Sequence, residues 1–278
     1  MPDLELQKTK ANAFRALHHT DHTLRLPNAW DVASARIFEE ANFNAIATTS
    51  AGIAFMLGYP DGQKISCDEM LAQVARIARA VKVPVTADVE SGYGNRPEDA
   101  AQTARGVIEA GAVGINLEDA TSDPQHPLVD LPLQLEKIQA VMEATSKCGV
   151  PLVINARTDV YLAQVGEPSH RYDETVRRLL AFRDAGADCV FVPGLRDVET
   201  ISRLVRDVQC PLNILGGPGA PSIPELEKLG VARVSLGSWP MRATLGLVRR
   251  IAEEMKNSGT YHTMEGSLPY ADVNRMLG

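Results

Sequence analysis

The sequence predicts an α/β fold, a (β/α)8 barrel of the TIM type, and three observations carry that expectation. Short apolar runs rich in β-branched residues alternate with helical patterns along the whole 278-residue chain. The runs read as near-continuously apolar, as strands covered on both faces do. Three helix-to-strand joints, "EAGAVGINLED", "RDAGADCVFVP" and "EKLGVARVSLG", repeat one formula in which a glycine closes a helix just before a strand. Glycine supplies the left-handed C-cap that a short turn needs. With about eight strands, the repeated joint favours a closed barrel over a doubly wound sheet.

The expected strands, in order, are Leu24–Ala29, Ala45–Thr49, Val83–Asp88, Val113–Leu117, Pro151–Asn155, Cys189–Val192, Leu212–Leu215 and Arg233–Leu236. Helical patterns lie between them at Cys67–Val81, Pro97–Ala110, Leu133–Lys147, Tyr172–Ala185 and Val198–Val208. No Pro/Ser/Gly-rich linker divides the chain, so residues 1–278 are expected to form a single domain. A helical extension over about residues 240–278 would cap the barrel or pack on a partner subunit.

Bulk properties narrow the classes. The net charge of −7 argues against a general nucleic-acid or membrane-surface binder. Cys67, Cys148, Cys189 and Cys210 form no CxxC pair, which argues against structural zinc and for reduced thiols in a cytoplasmic protein. No apolar leader is expected at the N-terminus, and no stretch approaches the roughly 18 apolar residues of a membrane span.

In a β/α barrel, chemistry sits at the C-terminal ends of the strands. Asn28 to Asp31 follow the first expected strand. Thr49, Ser50, Ala51 and Gly52 follow the second, leading on to Asp61. The acidic loop Asp88-Val89-Glu90-Ser91-Gly92-Tyr93-Gly94 follows the third. Glu118 and Asp119 follow the fourth, and Arg157 with Asp159 the fifth. Carboxylates gathered on one rim repel each other unless a cation sits among them. All-oxygen ligands suit Mg²⁺ or Mn²⁺ rather than zinc. Arg157 is placed to hold a substrate carboxylate in a bidentate pair, and the amides of Ser50, Ala51 and Gly52 to receive a second carboxylate or an oxyanion.

Plainer readings stand beside these. Asp31 and Asp119 fit helix N-caps, and Arg157 fits a surface pair with Asp159. The run Gly216–Gly219 sits where barrels often bind phosphate, but Pro218 and Pro221 cost it amide donors, so a rigid turn is the better expectation. His18, His19 and His22 read as a solvated helix end. The Pro-rich stretch Thr121–Pro132, with His126, reads as a flexible lid. The cysteines read as structural.

The segments "LPNAWDVASAR", "TTSAGIAFMLGYPDG", "VTADVESGYGN", "GINLEDA" and "INARTDVY" together resemble the isocitrate lyase/phosphoenolpyruvate mutase superfamily over about Leu26 to Met255. The resemblance implies a Mg²⁺-dependent barrel acting on 2-oxo or 2-hydroxy carboxylates. It implies a homotetramer, a dimer of dimers, with the last barrel helix swapped between subunits. By motif position, Asp88 would bind the metal directly, and Asp61, Glu90 and Glu118 would hold metal-bound waters. Thr49, Ser50, Ala51 and Gly52 would cradle the substrate carboxylate, Arg157 would bind substrate, and Asn213 would line the pocket. Asp61, Glu118 and Arg157 would take part in catalysis.

The sequence departs from the family at two places. Glu90 stands where many members have Asp. The lyase lid motif Lys-Lys/Arg-Cys-Gly-His, whose cysteine is the acid/base at the cleaved carbon, is replaced by Asp119-Ala120-Thr121-Ser122-Asp123-Pro124-Gln125-His126. The mutase-type lid is absent too. The expected activity is therefore C–C cleavage or decarboxylation of a small 2-oxo or 2-hydroxy di- or tricarboxylate. Decarboxylation is favoured, because a water can supply the final proton. The alternatives are C–P chemistry, as in a phosphonopyruvate hydrolase or mutase, and a barrel that binds a 2-oxo acid without turning it over.

Overall fold

The computed structural model describes residues 3–121 and 123–278. Among these residues, nine strands form one all-parallel sheet. They are β1 (Leu24–Leu26), β2 (Asn28–Ala29), β3 (Ile46–Thr48), β4 (Val85–Asp88), β5 (Gly114–Glu118), β6 (Val153–Arg157), β7 (Cys189–Val192), β8 (Leu212–Leu215) and β9 (Arg233–Ser235). The first expected strand is split in two. Pro27 has no N–H to give to a ladder, so the run breaks there. β1 pairs with β9 and β2 with β3, and this closes the barrel around the break. Asn28 stitches the closure. Its Nδ2 donates to the Thr48 carbonyl at 2.8 Å, and its Oδ1 accepts from the amides of Leu236 (2.7 Å) and Gly237 (2.9 Å).

The helices are α1 (Leu4–Ala16), α2 (Val32–Glu40), α3 (Ser50–Met56), α4 (Cys67–Ala80), α5 (Pro97–Glu109), α6 (Leu131–Cys148), α7 (Arg171–Asp184), α8 (Val198–Val208), α9 (Ile223–Lys228), α10 (Trp239–Asn257) and α11 (Tyr270–Leu277). Their starts follow local capping chemistry. Asp31 caps α2 with a reciprocal Ser34 bond, and Ser66 and Glu69 form a capping box on α4. Asp31 is thus the cap its position suggests. α6 begins at Leu131, so the end of the expected lid stretch is its first turn, where Pro132 is tolerated.

α1 closes the N-terminal mouth of the barrel. Gln7 donates to the carbonyls of Ile108 and Ala112, and Phe14 packs against Gly114, where a Cβ would lie 2.9 Å from its ring. His18, expected in solvent, is instead buried against Phe14. Its Nδ1 lies 2.9 Å from the Phe14 carbonyl, and its Nε2 lies 3.5 Å from a terminal nitrogen of the buried Arg233. Burial, and then the Arg233 charge, lower its pKa to about 3, so the ring is neutral. His19 and His22 are exposed, as expected.

Of the described residues of α10, only Met241 is buried, and Leu245, Leu247, Val248 and Met255 are exposed. Among the described residues no helix is long and apolar enough to cross a membrane.

Candidate active site

A cavity of about 260 Å³ opens among the C-terminal strand ends, where Asp61, Asp88, Asn116, Arg157 and Phe191 meet Thr49, Ser50 and Ala51. Asp88 ends β4 and is its acidic centre. Its amide donates to Thr48 Oγ1 at 2.9 Å, which fixes the backbone. Its Oδ2 accepts from the Ser50 amide (2.9 Å) and hydroxyl (2.8 Å), and its Oδ1 accepts from Asn116 Nδ2 at 2.8 Å. Asn116 is itself oriented, because its Oδ1 accepts from Asn155 Nδ2 at 2.8 Å. With one donor on Oδ1, a lone pair there is left for a further ligand.

The segment expected to cradle a carboxylate is the first turn of α3, with Thr49 as its N-cap. The amide of Ser50 is taken by Asp88, and that of Gly52 donates to Thr49 Oγ1 at 3.3 Å. The turn therefore orients Asp88 first. Gly52 is buried and packed so closely that a Cβ would lie 2.5 Å from Thr49 Cγ2.

The acidic loop is tightly wound. Glu90, Gly92 and Tyr93 all have positive φ, at 52°, 94° and 55°. A non-glycine residue in this region is held there by its surroundings. Lys137, on α6 and 1% exposed, does the holding: its Nζ donates to the carbonyls of Ser91 (3.1 Å) and Gly94 (2.8 Å). Burial and the charges of Asp61 and Asp88 push the Glu90 carboxyl up to about 8. Burial likewise raises Asp61, with the Asp88 charge adding to it, although Asp61 stands on an exposed loop at the mouth.

Arg157 ends β6 and does pair with Asp159, but in the interior rather than on the surface. Its Nε and one terminal nitrogen reach the two Asp159 oxygens at 2.6 and 2.8 Å, and its other terminal nitrogen reaches Glu118 Oε2 at 2.6 Å. Burial opposes its charge, but Glu118 and Asp159 outweigh burial and raise its pKa. Burial pushes Glu118 well above the usual carboxylate range, with Arg157 acting against the rise. Asp119 is no N-cap. It is buried, pairs with Arg178 at 3.0 Å and accepts from the Asp159 amide at 2.9 Å, which braces the Arg157 clamp from below. Burial raises its pKa to about 6, with Arg178 opposing.

Other expected residues fall elsewhere. Asn213, expected on the cavity wall, lies one layer deeper with its Nδ2 on Ser235 Oγ at 3.0 Å, and it is Ser235 that lines the cavity. The stretch read as a lid folds back on itself: Thr121 donates to the Pro127 carbonyl, and Ala120 bridges Leu128. Ser122, within it, lies outside the described residues. His126 is exposed, 3.1 Å from Asp123 and not on the cavity wall. Asn116 and Lys137 escaped sequence reasoning. A polar residue inside an apolar strand was a signal for Asn116. A lysine in an amphipathic helix gave none for Lys137.

The donor set suits a hard divalent cation, which would offset the mutual repulsion of these carboxyls. Among the described residues, no three His, Cys, Asp or Glu side chains are grouped so as to hold a metal by themselves. The arrangement fits an ion gripped directly by Asp88, with water between it and Glu90, Asp61 and Glu118. Mg²⁺ keeps several waters and accepts such a site.

Comparison with known proteins shows the family of the chain. Residues 14–256 match the family model for phosphoenolpyruvate phosphomutase. A Burkholderia cenocepacia J2315 protein described only as a lyase/mutase superposes with a TM-score of 0.91 at 41% identity, covering 98% of this chain and 96% of its own. The oxaloacetate decarboxylase of Ectopseudomonas mendocina (strain ymp) is 31% identical, covering 81% of this chain and 77% of its own. A 2,3-dimethylmalate lyase, a phosphoenolpyruvate mutase/isocitrate lyase superfamily member, superposes with a TM-score of 0.84 at 27% identity, covering 97% and 95%. The chain belongs to the phosphoenolpyruvate mutase/isocitrate lyase superfamily.

Proposed function

We propose that this protein is a Mg²⁺-dependent lyase that cleaves a C–C bond, by retro-aldol-type scission or decarboxylation, in a small 2-oxo or 2-hydroxy di- or tricarboxylate. The observation that carries the reading is Asp88, oriented by Ser50 and Asn116 at the cavity wall and flanked by buried carboxyls whose pKa values are raised. When bound, the cation supplies a Lewis acid for the negative charge that develops on the substrate oxygen.

This chain's residues do the rest. Ser50 and Asn116 hold the Asp88 carboxylate in one orientation. Arg157, kept charged by Glu118 and Asp159, presents a guanidinium to the substrate carboxylate. Thr49 and Ala51 shape the wall beside it. Asp61 and Glu118 orient water. The lid segment offers no cysteine, so a carbanion would be protonated by water, which favours decarboxylation of an oxaloacetate-like acid.

The match to phosphoenolpyruvate phosphomutase keeps C–P chemistry as a second reading. The exposed apolar face of α10 supports a helix-swapped homotetramer, with residues 1–278 acting as one unit. A panel of 2-oxo and 2-hydroxy acids incubated with Mg²⁺ and followed by NMR tests the function. Pyruvate from oxaloacetate, or a C–C cleavage product from another acid, supports the lyase. Phosphate from phosphonopyruvate supports the second reading. Binding without any product would leave a sensor or scaffold.

A further inference from the structure

The cavity has two poles. Asp61 and Asp88 stand on one side, and the loop after β7 brings Arg196, and the first turn of α10 Trp239 and Arg242, to the other. We infer that Arg196 and Arg242 form a subsite for a second anionic group of the substrate, a terminal carboxylate remote from the metal-chelating end. This rests on the reading of Asp88 as the metal-side pole.

The subsite is built rather than incidental. The Arg242 guanidinium stacks on Trp239, 4.1 Å from the ring centroid, which holds a long side chain in one place. Trp239 in turn lies flat against Gly217, where a Cβ would sit 2.5 Å from the indole nitrogen. Arg196 lies against Gly219, where a Cβ would sit 2.9 Å from a terminal guanidinium nitrogen. Both glycines have positive φ, 152° and 82°. The Gly216–Gly219 run is thereby accounted for. Its bare backbone lets Trp239 and Arg196 lie down on the turn. Among the described residues, neither Arg196 nor Arg242 makes a salt bridge with a carboxylate, unlike Arg157, Arg177 and Arg178. Both line the cavity that Asp61 and Asp88 also line, so a substrate with a chelating 2-oxo acid at one end and a carboxylate at the other complements both poles. The cavity, about 260 Å³, suits a small acid.

The test is calorimetric titration, in Mg²⁺, of pyruvate and 2-oxoglutarate into wild type, Arg196→Gln and Arg242→Gln. Pyruvate has only the chelating end, and 2-oxoglutarate carries the second carboxylate. The readout is the ratio of the two affinities. Wild type is expected to favour the diacid by at least about tenfold, and each variant to reduce that ratio by about tenfold, an effect of the size of a charge-assisted hydrogen bond. Both side chains are exposed, and thermal melts check that the variants fold. A wild-type ratio near one, or a ratio unchanged in both variants, overturns the subsite. Failure of wild type to bind pyruvate in Mg²⁺ overturns the metal-site reading, and the subsite with it.

Discussion

The Arg157 guanidinium lies 2.6 Å from Glu118 Oε2 and grips both Asp159 oxygens with its other edge. The rim arginine is thus a clamped cation inside a carboxylate frame, with part of one face left over the Phe191 ring at 5.8 Å. Lysine cannot reproduce that fork. Arg157→Lys is expected to lower kcat/KM by about 100-fold or more, with Glu118 and Asp159 left short of a partner at a cost of about 1–3 kcal/mol. Steady-state kinetics and urea melts of the same variant check both halves. Activity within a few-fold of wild type would remove Arg157 from substrate binding.

Lys137 holds the acidic loop through the carbonyls of Ser91 and Gly94. Lys137→Met fills a similar volume but leaves both carbonyls unpaired in a buried place. A loss of about 1–3 kcal/mol in stability is expected. Weaker Mn²⁺ binding is expected with it, because Glu90 loses the winding that places it. Mn²⁺ titration by electron paramagnetic resonance reads the second effect. Unchanged binding would make Lys137 a packing residue only.

His18 gives a pH dependence whose sign follows from its surroundings. Its pKa is about 3 in the fold, against an ordinary 6.5. Between those values the unfolded chain binds the proton and the folded chain does not. Stability from this group is therefore complete above pH 6.5 and declines as pH falls toward 3, by at most about 1.4 kcal/mol per pH unit. Urea denaturation at pH 7.5 and pH 5 should show wild type losing more stability than His18→Gln. Equal losses in the two proteins would contradict the neutral, buried ring.

Much of the fold was legible because its signals are local. Cys189–Val192 and Leu212–Leu215 are strands at the expected bounds, and Val198–Val208 is a helix as read. The split at Pro27 was written in the sequence as a residue without an N–H. A helix end was read at His18–His22, but not the plugging role of α1, because that depends on Phe14 meeting Gly114, a long-range fit without a local pattern. Asp88 ends β4 and lines the cavity. What the sequence could not show was which polar groups spend their bonds on each other. The Ser50 amide is used by Asp88, Glu118 is used by Arg157, and Asn213 turns to Ser235.

The central claim is a divalent cation held directly by Asp88. Calorimetric titration of Mn²⁺ into wild type and Asp88→Ala tests it most directly. Wild type is expected to bind about one ion per chain, and Asp88→Ala, still folded by circular dichroism, to bind at least about 100-fold more weakly. Equal affinity in the two proteins would contradict the account.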